Sequence, residues 1–159
     1  MNITHYRIRP SFQNRVYSTY SPRAESREPR AEILIRDSQT KVSFDGCRVA
    51  SGLCNRPYTS GSTTSASQID IDHIILLKWA HSHGGDRWST GRKRAFANDP
   101  DNLLASSSSA NRRKGAKGPD EWMPEINKCS YAQRWEVLIE KYGLLTTTGE
   151  MVSIGRAWQ

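Results

Sequence analysis

Three residue types near the middle of the chain could share out a hydrolysis. Asp72 and His73 adjoin at the end of an alternating segment, Asn102 follows a turn, and Asn111 lies in a polar run beyond. A carboxylate and an amide oxygen are hard donors that suit a divalent cation such as Mg²⁺. An imidazole can accept a proton near neutral pH. Each residue alone also has a plainer reading. Asp72 and His73 could be a satisfied polar pair at a strand end, and Asn102 after Asp101 could be turn chemistry.

The elements around these residues decide whether they can meet. In Gln68–Leu77, Ile69, Ile71 and His73 alternate with Asp70, Asp72 and Ile74. Period two predicts a strand, and carboxylates in a strand need partners if they are buried. A polar, glycine-containing segment runs on to Gly91. Arg92–Asn98 reads as a short helix stopped by Asp99-Pro100, and Leu103–Ala105 as a second strand. Ser107–Lys114 reads as a helix with Ser107 or Ser108 as its N-cap. Two antiparallel strands packed on that helix would bring Asp72, His73 and Asn111 to one face.

The flanks read less sharply. Residues 1–30 carry six Arg, no Lys and two Glu, broken by Pro10, Pro22 and Pro29; they are expected to form an irregular basic arm. Ile33 and Ile35, then Val42 and Phe44, predict two short strands around a polar turn. Residues 59–67, rich in Ser and Thr, predict a flexible connector. Tyr131, Trp135, Leu138, Ile139 and Tyr142 recur at helical spacing before Gly143, which predicts an amphipathic helix with an aromatic core stripe. The expected division is an arm over 1–30, a domain over 31–145 and a tail over 146–159.

Composition narrows the classes. A chain of 159 residues suits one domain, and its longest apolar run, Ile74–Leu77, is far short of the ~18 residues of a membrane span. Lys and Arg exceed Asp and Glu by seven, which points to a polyanionic partner. Between Asp86 and Gly118 eight cationic residues face three acidic ones. Arg94 and Lys114 lead the candidates for phosphate contact, with Arg112, Arg113 and Lys117 beside them. The three cysteines, Cys47, Cys54 and Cys129, cannot close a disulfide framework, and no CxxC pair is present. Residues 1–10 lack the apolar centre of a secretory leader. Together these predict a reduced, cytoplasmic chain. His81 and His83 read as a solvent-facing loop, since no zinc spacing accompanies them, and zinc is not expected.

The ordered blocks D-I-D-H-I-I-L-L (70–77), F-A-N-D-P-D-N-L-L-A (96–105) and S-A-N-R-R-K-G-A-K (109–117) resemble the HNH endonuclease family, in its small bacterial and phage branch. Pro57-Tyr58-Thr59, Glu121-Trp-Met-Pro124 and Cys129-Ser-Tyr131 with Arg134-Trp135 extend the likeness from about Ile33 to Leu144. The resemblance implies an α+β fold with a ββα-metal core, short N-terminal strands and a C-terminal helix. It implies hydrolysis of DNA phosphodiester bonds, by nicking or non-specific cleavage, with one Mg²⁺ or Mn²⁺ ion. Asp72 and Asn111 would hold the metal, His73 would be the general base, oriented by a partner such as a backbone carbonyl, and Asn102 would position the loop and strand around it. Double-strand cleavage would need a homodimer or repeated nicking; a regulatory protein is a further partner that such cores admit, and RNA an alternative substrate. The likeness also places Cys47 and Cys129 where relatives carry cysteines, implying a bridge under oxidising conditions with Cys54 left over. Leu76 departs from the usual Pro, and Arg56 from an Asp. Two other classes stay open: a non-catalytic nucleic-acid-binding module on the same scaffold, and a zinc-organised protein using the cysteines with His81 and His83.

Overall fold

The computed structural model describes residues 29–45 and 48–159, so the arm up to residue 28 and Cys47 lie outside the described residues. The fold is α+β. Helix α1 spans Pro29–Asp37, strands β1 (Ser43–Asp45), β2 (Arg48–Asn55) and β3 (Ser62–Ser65) follow, and β4 is Ile69–His73. Next come α2 (Leu77–Ser82), α3 (Thr90–Ala97), β5 (Leu103–Ser107) and α4 (Ser108–Lys114), then α5 (Lys128–Tyr142) and α6 (Thr148–Arg156). β1, β2 and β3 form one antiparallel sheet, and β4 and β5 form another.

The second sheet and the helix after it position the chemistry. Asp70 lies opposite Ser106, Asp72 opposite Leu104 and His73 opposite Leu103. Ser107 ends β5 and caps α4, its hydroxyl accepting from the Ala110 N–H at 3.4 Å. Strand and helix therefore abut without a loop, a ββα unit in which α4 packs against β4 and β5. Alternation puts Ile69 and Ile71 on one face of β4, against Ile33, Leu34 and Cys54. Asp70 and Asp72 take the other face, toward α4.

Several local expectations are corrected. Ile33 and Ile35 belong to a helix, because Ala31, Ile33 and Leu34 are buried together, a helical rather than an alternating pattern. Glu32 early and Arg36 late suit the helix dipole. The end of α1 then ties down β5: Arg36 donates to the Pro100 and Leu103 carbonyls, and Asp37 accepts the Ala105 N–H at 2.9 Å. The 59–67 segment holds β3 rather than a connector. The strand read over 68–77 stops at His73, and α2 replaces the expected loop at His81. Leu76 precedes α2 with φ −68° and ψ 147°, a backbone that a proline also adopts, so Leu76 and Pro are both compatible with this turn.

The aromatic stripe of α5 is core. Tyr131, Trp135, Leu138 and Tyr142 are buried with Tyr58, Ile74, Ile75, Trp79 and Phe96. Gly143 stops the helix at φ 59°, a conformation that suits residues without a Cβ. The segment read as a tail contains α6, begun by a reciprocal cap between Thr147 and Glu150 and anchored by the fully buried Ile154. Cys129 is exposed and Cys54 buried, both with free thiols, and Cys47, the expected partner of Cys129, lies outside the described residues.

Candidate active site

His73 is the last residue of β4, where the ladder gives way to a turn. Its Nε2 lies 2.8 Å from the carbonyl oxygen of Ala97, the last residue of α3. A carbonyl only accepts, so Nε2 carries a proton, and Nδ1 is the bare nitrogen of the neutral ring. Among the described residues Nδ1 has no hydrogen-bond partner.

Asn102 makes this turn rigid. It is fully buried. Its carbonyl accepts the Ile74 N–H at 2.8 Å, its Oδ1 accepts the Ile75 N–H at 2.8 Å, and its Nδ2 donates to the Ile75 carbonyl at 3.1 Å. A side-chain amide sets an N–H donor beside a carbonyl acceptor, as the backbone of a paired strand does, so Asn102 continues the ladder past the strand end.

The loop that delivers both Ala97 and Asn102 is held from α5. The buried Asp99 accepts the Tyr142 hydroxyl at 2.7 Å, the Lys141 ammonium at 2.8 Å and the Asp101 N–H at 3.0 Å. Burial raises the Asp99 carboxyl, but the hydrogen bonds from Lys141, Tyr142 and the Asp101 N–H outweigh it and hold the group below its ordinary range. Burial and the Asp99 charge push the Tyr142 hydroxyl up to about 12.

Asp72 is 1% exposed and uses both oxygens inside the protein. Oδ1 lies 3.0 Å from the Lys114 ammonium, which also donates to the His73 carbonyl at 2.6 Å. Oδ2 accepts the Tyr58 hydroxyl at 2.5 Å. Burial pushes the Asp72 carboxyl up, opposed by the charge of Lys114 and the Tyr58 hydrogen bond. Burial likewise pushes Lys114 down and the Tyr58 hydroxyl well up. Lys114 is fully buried, which corrects its sequence-based assignment to phosphate contact: a sealed ammonium meets Asp72 and no solvent-borne anion.

Asn111 stands one turn before Lys114 on the same face of α4. Its Nδ2 donates to Asp70 Oδ2 at 3.3 Å, not to Asp72, and Asp70 Oδ1 accepts the Ser108 hydroxyl at 2.8 Å. No hydrogen bond joins the His73 ring to Asp72 or Asn111 among the described residues; Lys114 links Asp72 to the His73 backbone carbonyl, and Asn111 stands apart on Asp70. Asp70, Tyr58, Asp99 and Tyr142 are the residues that sequence reading passed over. Alternation alone puts Asp70 on the face of Asp72, and Tyr58 lies in a block already singled out. Nothing local marks Asp99 and Tyr142 as a pair.

The remaining basic candidates stay on the surface. Arg94, Arg112, Arg113 and Lys117 are exposed. Arg113 pairs with Glu125 at 3.2 Å, and Lys117 donates to the Arg113 carbonyl. His83 is fully engaged, stacked 3.6 Å over Trp79, with Nδ1 2.7 Å from the Trp79 carbonyl and Nε2 3.0 Å from Glu150.

The site is thus a carbonyl-oriented histidine at a strand end, backed by a helix bearing polar and basic residues. The chain belongs to the family of GmrSD restriction endonuclease C-terminal domains, whose model matches residues 26–148. It is similar to a protein of Arthroderma benhamiae named "Uncharacterized secreted protein", with 36% identity over 124 residues. That match covers 75% of this chain and 61% of the relative, so the chain spans less than two thirds of the curated relative it matches. The finding overturns the cytoplasmic expectation: a similar chain carries the name of a secreted protein, and the first residues here do not report location. No solved structure matches.

Proposed function

We propose that the chain is a metal-dependent endonuclease of the HNH kind that hydrolyses DNA phosphodiester bonds, with His73 as its general base. The observation that carries this reading is the hydrogen bond from His73 Nε2 to the Ala97 carbonyl, which leaves Nδ1 bare and aimed by a buried scaffold. Water would attack phosphorus, its proton would pass to Nδ1, and the bond to the 3′ oxygen would break, the leaving oxygen taking a proton from solvent. Arg94, Arg112, Arg113 and Lys117 would hold the phosphate backbone without reading sequence.

The donor types suit Mg²⁺ or Mn²⁺, and Asp72, sealed beside Lys114, would have to open to solvent to reach the ion. Asp72 and Asn111 would hold the ion. Asn111 Oδ1 has no partner among the described residues, and the Asp72 carboxylate has four lone-pair sites of which two are used. When bound, the ion would supply counter-charge to the phosphate and the leaving oxygen. Lys114 then shares Asp72 with it, neutralising the carboxylate when the ion is absent. The name of the fungal relative supports a secreted setting for this activity.

A second reading, a nucleic-acid-binding module, draws support from Asp72, whose two oxygens both serve protein contacts. One assay separates the two. Supercoiled plasmid should be nicked or linearised by the wild type with Mg²⁺, not with EDTA, and His73→Ala should be about 10²–10⁴-fold slower. Plasmid left intact with both Mg²⁺ and Mn²⁺ by a folded wild type would sink the autonomous DNA nuclease and favour the module, or RNA.

A further inference from the structure

We propose that Asp70 is a positioning residue that fixes the amide of Asn111, so that Asn111 Oδ1 and not Nδ2 is presented to the divalent cation. The proposal rests on the reading of Asn111 as a metal ligand. An amide side chain is ambivalent: one end accepts and donates nothing, the other donates and cannot bind a cation. Freely rotating, it offers the wrong end about half the time.

Asp70 removes that freedom. An ionised carboxylate only accepts, so the end of Asn111 that faces it must be the NH₂. That end lies 3.3 Å from Asp70 Oδ2, and Oδ1 is left with no partner among the described residues. Asp70 is itself held: its Oδ1 accepts the Ser108 hydroxyl at 2.8 Å, on the first turn of the helix that carries Asn111. Alternation along β4 sets Asp70 and Asp72 on the same face, two residues apart, so the strand would supply a ligand and the orienter of the second ligand together. Outer carboxylates that orient ligands in this way typically change metal affinity by 10–100-fold when removed.

The test is Mn²⁺ binding, read from the paramagnetic signal of the free ion and so independent of turnover. The full chain is compared with Asp70→Ala, Asp70→Asn and Ser108→Ala, each checked for an unchanged unfolding midpoint. Wild type should bind one ion, and Asp70→Ala should bind it about 10–100-fold more weakly. Asp70→Asn keeps an oxygen to receive the Asn111 amide and should restore most of that loss; Ser108→Ala should fall between. Equal affinity in wild type and Asp70→Ala overturns the proposal. So does Asp70→Asn binding as weakly as Asp70→Ala, which would mean that Asp70 acts by charge. If Asp70→Ala does not fold, Ser108→Ala against Asp70→Asn decides, equal and wild-type affinity in both being the overturning result. A wild type that binds no Mn²⁺ removes the metal reading and the proposal with it, a result visible before any variant is made.

Discussion

At the scale of single residues, the most consequential feature is a lysine that looked like a phosphate contact and is a buried counter-ion. Lys114 sits in a basic run, yet it is fully buried between Asp72 and the His73 carbonyl. Burying either charge without the other is costly, so removing one partner of such a pair typically destabilises by about 3–5 kcal/mol. Lys114→Met, which keeps the length and discards the charge, should lower stability by about that amount in urea unfolding. A change under about 1 kcal/mol would mean that Asp72 takes up a proton at little cost and that the ion pair does not hold α4 to β4.

At the scale of elements, the site depends on a turn that no element of the ββα unit holds by itself. Asp99 fixes the loop that presents the Ala97 carbonyl and Asn102, and the end of α5 grips Asp99 through Tyr142 and Lys141. Because the folded state holds the Asp99 carboxyl below its ordinary range, its contribution is complete above the unfolded-state value and disappears as pH falls through the folded-state value. Tyr142→Phe removes one donor to that carboxylate. It should cost about 1.5–3 kcal/mol near pH 7, the range for a hydrogen bond to a charged group. The gap between variant and wild type should narrow in acid, once Asp99 is protonated. Urea unfolding across a pH series reads both effects, and a gap constant with pH would show that Tyr142 acts by packing alone.

At the scale of the whole molecule, net charge and its placement govern the partner. The chain carries a formal +7, and Arg94, Arg112, Arg113 and Lys117 are exposed while Lys114 is sealed. Each phosphate neutralised on duplex DNA steepens the fall of log affinity with log salt by about 0.9. Arg94→Gln and Arg112→Gln should each flatten that slope by about 0.9, measured by fluorescence anisotropy on a short duplex over a salt series. Lys114→Met should leave the slope as it is. An unchanged slope in both arginine variants would move the proposed DNA-binding face away from α3 and α4.

Local pattern alone determined a good part of this protein. Alternation in Ile69–His73, the serine cap of α4 and the helical stripe ended by Gly143 are written in neighbouring residues, and the family blocks named His73, Asn102 and Asn111. Those signals survive in the linear chain because backbone geometry and capping act over a few residues. The partners did not. Asn111 finds Asp70 across 41 residues, Lys114 finds Asp72 across 42 and Tyr142 finds Asp99 across 43. Ile33 and Leu34 took a helix because the packed interior received adjacent residues there. Which carboxylate meets which amide, ammonium or hydroxyl is a matter of how a strand and a helix are laid against each other. Only the tertiary structure decided it, because burial compels each charge to find a partner in space, however distant that partner is in sequence.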